Sequence, residues 1–103
     1  MQMHKAKRVE ITIEAPMRRR LTKALIAAEI HGFTVLPVKG GSGRSGEWDR
    51  EGQVTAAGGM VCVVCIIRPE KLDTLLEAAF AIVERHIGVV CVTDCEVLRA
   101  ERF

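Results

Sequence analysis

Residues 7–14, KRVEITIE, alternate strictly between apolar and polar, with Val9, Ile11 and Ile13 on one side and Arg8, Glu10, Thr12 and Glu14 on the other. That period of two predicts a half-buried strand. Pro16 then suits a first helical turn, and Met17, Leu21, Ala24, Leu25 and Ala28 follow at helical spacing until Gly32, which is expected to stop the helix. Residues 33–38, FTVLPV, are rich in β-formers, and Pro37 predicts an edge strand or a strand end because it cannot donate to a ladder. Residues 60–67, MVCVVCII, are apolar on both faces, so both faces of the sheet need cover there. Pro69 opens a second helix with Leu72, Leu75, Leu76, Ala79, Phe80 and Val83 along one stripe. After Gly88, residues 89–98 predict a last strand, with a break near Asp94.

The order strand, helix, strand, strand, helix, strand is the split β-α-β of ferredoxin-like α+β domains, an antiparallel sheet with two helices on one face. Two helices leave the other face of MVCVVCII uncovered. Association with copies of itself is the simplest source of cover in a chain of 103 residues, which is long enough for one domain (1–103) and one core.

Between the second and third strands lie residues 39–58, KGGSGRSGEWDREGQVTAAG. Connections longer than roughly 12–15 residues are usually functional. This one joins Lys39, Arg44 and Arg50 to glycines 40, 41, 43, 46 and 52 and to Ser42 and Ser45. Cations beside unhindered backbone N–H groups suit an anion such as phosphate, and Arg44 can offer its guanidinium fork to paired oxygens. With little apolar surface to bury, the segment is expected to be mobile until a ligand orders it.

Composition narrows the function. A net charge of +2 and four aromatics (Phe33, Trp48, Phe80, Phe103) give neither the basic footprint nor the stacking platform of a nucleic-acid binder. The opening MQMHKAKR has no apolar run, and a cytoplasmic protein with reduced thiols is expected. Cys62 and Cys65 fall on opposite faces of one strand, and Cys91 and Cys95 stand roughly 13 Å apart along another, so neither pair grips a metal ion locally. The basic run Arg18, Arg19 and Arg20 reads either as a solvated face or as a partner or anion site.

Known phosphate signatures do not apply. GSGRSG, residues 41–46, matches G-x-G-x-x-G in letters but lacks the following helix, and no Gly-Lys pair exists for a P-loop. An acylphosphatase needs an asparagine, which the chain lacks altogether, and Ser42 and Ser45 have no nearby histidine. His4, His31 and His86 fall at an N-terminal tail and two helix ends. The expectation is a non-enzymatic protein, with no catalytic residue and no metal ligand assigned.

GFTVLPVKGGSGR (32–44) and GVVCVTDCEVL (88–98) together resemble the PII signal-transduction superfamily, and most of all its PII-like group associated with bicarbonate transporters and carboxysomes. The resemblance implies a homotrimer with a projecting T-loop, here about 39–58, and adenine nucleotide bound in clefts between subunits. It implies phosphate contacts from Lys39, Gly40, Gly41, Ser42, Gly43 and Arg44, backbone contacts from Gly88, Val89 and Val90, and tail contacts from Arg99 and Arg102. Bicarbonate would sit among Lys39, Gly41, Ser42 and Arg44. RHIGVV (85–90) stands where PII carries Gly-Asp-Gly-Lys, which favours AMP or ADP over ATP, and with no tyrosine in the chain uridylylation is not expected. Implied partners are a bicarbonate transporter, which would recruit the protein to the membrane, or a carboxysome component. Two other readings remain: a CutA-like metal-binding trimer that uses the cysteines, and a docking module anchored by Trp48.

Overall fold

The computed structural model describes residues 1–43, 46–49 and 59–103, with the backbone alone for 46–49. Strand β1 (His4–Glu14) is followed by a 3₁₀ turn (Ala15–Met17), helix α1 (Arg18–Ala27) and strand β2 (Phe33–Pro37). A short ribbon comes next, β3 (Gly40–Gly43) paired with β4 (Gly46–Asp49). Strand β5 (Met60–Ile67), helix α2 (Leu72–Val83) and strand β6 (Gly88–Val97) complete the domain. The main sheet runs β2-β5-β1-β6, every neighbour antiparallel. This is the expected ferredoxin-like arrangement, and Pro37 does lie on an edge strand.

The core is the face that the helices cover. Val9, Ile11 and Ile13 of β1, Val63 and Cys65 of β5, Leu21 and Leu25 of α1, and Leu75 and Ala79 of α2 are all completely buried. Burial there pushes the Cys65 thiol up to about 11, which keeps it protonated and inert. On the opposite face the same strands present Arg8, Glu10, Thr12, Cys62, Val64 and Ile66. Among the described residues no helix covers that side.

Four expectations need correction. β1 begins at His4, three residues earlier than the alternation indicates, so His4 belongs to a strand and not to a tail. β6 is continuous through Asp94, because Lys7 lies opposite it in the register and forms an ion pair with it. α1 does not run to Gly32. It closes at Glu29, which takes φ 65°, while the N–H of Ile30 donates to Leu25 O (2.8 Å) and that of Glu29 to Ile26 O (3.0 Å). This is a Schellman closure with glutamate in the left-handed position, and burial of Ile30 offsets the strain. Finally, the long connection starts as the β3–β4 ribbon, so its base is not structureless; Arg44, Ser45 and residues 50–58, and with them the expected mobility of that stretch, lie outside the described residues.

Candidate functional site

The strand register sorts the expected site residues into two groups. Pro37 pairs with Val61, Val61 with Ile13, and Ile13 with Gly88, so the entry to the 39–58 loop and the start of β6 share one end of the sheet. Lys39, Gly40, Gly41, Ser42 and Gly43 are exposed at or beyond that end. The ribbon pairs Gly40 with Asp49, Gly41 with Trp48, Ser42 with Glu47 and Gly43 with Gly46. An antiparallel ladder engages the amides of alternate residues, so about half of the backbone donors in this glycine run remain free for an anion. Arg44 lies outside the described residues.

Gly88, Val89 and Val90 open β6 beside this entry. A Cβ on Gly88 would sit 3.1 Å from Thr12 O and 3.1 Å from Val83 Cγ1, so glycine here is a matter of close approach between β1, α2 and β6. The turn before it is held by Glu14, whose Oε1 accepts the Ile87 N–H at 2.9 Å and lies 3.4 Å from His86 Nδ1. The N–H of Ala15 also donates to Gly59 O (2.9 Å), which ties the far end of the loop to the same place. Glu14 and His86 therefore belong to the frame of this site. The sequence pattern singles out neither for it, because Glu14 looks like one more polar residue in an alternating strand.

Arg99 and Arg102 stand at the other end. Val97, the last residue of β6, pairs with His4 at the start of β1. At the usual rise per residue, β6 separates this end from Gly88 by about 30 Å. Arg99 Nε donates to Glu101 Oε1 (3.1 Å), and the Glu101 carboxyl is held below the usual range by a hydrogen bond that it accepts from its own backbone N–H and by Arg99. Arg102 makes no salt bridge among the described residues. Its 3₁₀ turn, Ala100–Arg102, is folded back by Arg68, which donates from Nη2 to Ala100 O (2.7 Å) and from Nε to Phe103 O (3.0 Å), and lies 4.8 Å from the Phe103 ring centroid. The resulting cleft of about 440 Å³ lies among Gly32, Ile66, Arg68, Lys71, Arg102 and Phe103. Arg68 and Lys71 are further cations at this end that the sequence pattern does not single out.

One chain thus holds two partly glycine-lined half-sites that carry cations, the tail cleft with Glu29 and Glu101 also in its lining, and does not bring them together. A glycine-rich ribbon with Lys39 suits phosphate or carboxylate oxygens, whereas the tail cleft combines apolar wall (Ile66, Phe103) with cations and suits a flat base or a further phosphate.

A sequence profile of the family described as nitrogen regulatory protein P-II matches residues 6–102, and the chain belongs to that family. It is a PII-like signalling protein. Among solved structures it is similar to CPII, a nitrogen regulatory PII-like protein from Thiomonas intermedia K12 bound to ADP, AMP and bicarbonate, at 25% identity and a TM-score of 0.88 over 99% of this chain and 96% of that one. CPII bound to ADP and bicarbonate matches at 26% identity and a TM-score of 0.84, over 99% and 97%. A PII-like signalling protein from Thermus thermophilus shares the fold at 21% identity and a TM-score of 0.75, over 100% and 99%. No curated protein sequence matches the chain. Family membership sets the CutA-like reading aside.

Proposed function

We propose that the protein is a non-enzymatic regulatory sensor that binds AMP or ADP, together with bicarbonate, in clefts between copies of itself, and reports them through the 39–58 loop. The observation that carries this is the separation of the two half-sites by the length of the sheet in a chain that matches ADP-, AMP- and bicarbonate-bound CPII along its whole length. A neighbouring copy is the simplest way to set the tail of one chain against the loop base of another. The open face of the sheet supports such packing, since Leu36, Ile66 and Val89 are 44%, 41% and 67% exposed there.

In this reading Lys39, Gly40, Gly41, Ser42, Gly43 and Arg44 hold phosphate, Gly88, Val89 and Val90 offer backbone, and Arg99 and Arg102 arrive from the neighbour in a homotrimer. Bicarbonate lies against Lys39, Gly41, Ser42 and Arg44. Ligand orders the loop, and a partner reads the ordered form. Bicarbonate as a co-ligand places the sensor in inorganic-carbon metabolism, with a bicarbonate transporter or a carboxysome component as the reader. Among the described residues no helix is long and apolar enough to cross a membrane.

Calorimetry with AMP, ADP and ATP, each with and without bicarbonate, tests the proposal. Saturable binding of AMP or ADP, tighter than ATP and lost on Arg102→Ala, is the expected result. Absence of binding by every adenine nucleotide at millimolar concentration would overturn it.

A further inference from the structure

The loop-bearing end of the molecule gathers cations from three separate segments. Arg18, Arg19 and Arg20 are exposed at the start of α1, one short 3₁₀ turn beyond Glu14, and Glu14 is itself bonded to Ile87. Arg85 is exposed at the end of α2, and Lys39 at the loop entry. None of the three α1 arginines makes a salt bridge among the described residues. Glu84, just past the end of α2, is an exposed acid at this end, Glu14 is already engaged, and Glu47 and Asp49 belong to the ribbon that leaves this end. Beside the cations, Ile87 is 64% exposed at the tip of its turn.

We propose that this end of the molecule docks on an anionic lipid surface, with residues 18–20 as the charged contact and Ile87 as the apolar one. Geometry selects this occupant over a protein segment. Three consecutive helical residues point about 100° apart, so together they cover more than half of the helix circumference. A peptide or helix lying along the flank of α1 would meet residues three or four apart. A plane of charge laid across the helix end meets all three, and Arg85 and Lys39 lie at the same end of the sheet. An exposed isoleucine amid such cations is what a headgroup layer accommodates, since the side chain enters the apolar boundary while the guanidinium groups stay among phosphates. The association is peripheral and does not depend on the nucleotide reading.

Sedimentation of the full chain with vesicles tests this. The protein should partition onto phosphatidylcholine vesicles containing phosphatidylglycerol, not onto phosphatidylcholine alone, and salt should release it. Replacing all three arginines (R18Q, R19Q and R20Q together) should weaken partitioning by roughly two orders of magnitude. Far-UV circular dichroism and ADP affinity should be unchanged in that variant, which separates loss of docking from loss of fold or of the nucleotide site. Ile87→Gln should weaken partitioning less, and Lys5→Gln, at the opposite end of the sheet, should leave it unchanged. Equal partitioning onto both vesicle types, no partitioning, or full binding by the triple variant would overturn the proposal. Retention on immobilised polyglutamate without vesicle binding would also overturn it and assign the surface to an acidic protein.

Discussion

On the helix-covered side of the sheet Val9, Ile11, Ile13, Val63 and Cys65 are completely buried, while the alternate residues of the same two strands set Arg8, Glu10 and Thr12 beside Cys62, Val64 and Ile66 on a side that no helix covers among the described residues. Where the helices cover it, the first side is apolar and closed within one chain. The second mixes exposed Leu36, Ile66 and Val89 with an ion pair, Arg8 Nη1 to Glu10 Oε2 at 2.7 Å. Each member of that pair stabilises the other's charge: Arg8 holds the Glu10 carboxyl below its usual range, and Glu10 raises the Arg8 guanidinium. Charges already hydrogen-bonded to each other can be covered at a smaller desolvation penalty than lone ones. In the proposed reading, the difference between the faces teaches that one is built to fold a chain and the other to receive a copy of it.

That contrast can be broken at single positions. Leu25→Ala on the closed side should destabilise the fold by about 2–5 kcal/mol in urea unfolding, because a completely buried side chain leaves a cavity. Ile66→Asp on the open side should leave far-UV circular dichroism intact and weaken self-association more than tenfold, which is over about 1.4 kcal/mol, in sedimentation velocity. If Ile66→Asp unfolds the chain and leaves association untouched, the two faces have been assigned the wrong way round. Gly88→Ala, where β1, α2 and β6 crowd together, should cost about 1–3 kcal/mol in the same unfolding assay, since the new methyl meets a backbone oxygen that cannot step aside. The smallest effect concerns Glu10. Its folded carboxyl is depressed, so the pair's contribution is present above the unfolded carboxylate value and is lost as pH falls through the folded one. An NMR titration of Arg8→Gln should show the Glu10 carboxyl moving up toward its ordinary range.

Much of this architecture is legible along the chain because period two and period 3.6 are written in apolar residues that face the helices. The pattern fails where the helices end. Lys5 and Lys7 share the parity of Val9, and Asp94 and Glu96 share that of Val92, yet neither α1 nor α2 buries them, so the alternation stops while β1 and β6 go on pairing. The α1 terminus escapes the pattern for a different reason. Glu29 takes the left-handed conformation that glycine usually fills, and Gly32 draws attention three residues too late. The β3–β4 ribbon has too many glycines and too little apolar periodicity to announce itself. At the candidate site, Lys39 and the glycines stand out by composition, and Gly88, Arg99 and Arg102 by resemblance. Glu14 and Arg68 do not, because their partners, Ile87 and the 100–103 tail, lie far away in sequence.

The central claim is that loop base and tail meet only between copies, and a subunit-mixing titration tests it most directly. Lys39→Ala and Arg102→Ala, each defective in ADP binding alone, are dissociated, mixed in equal amounts and reassembled before calorimetry. If each site joins the loop base of one copy to the tail of the next, about one quarter of the sites in the mixture regain both intact halves and bind ADP with the parent affinity. If each site lies within a single chain, no site recovers, and that result would contradict the account.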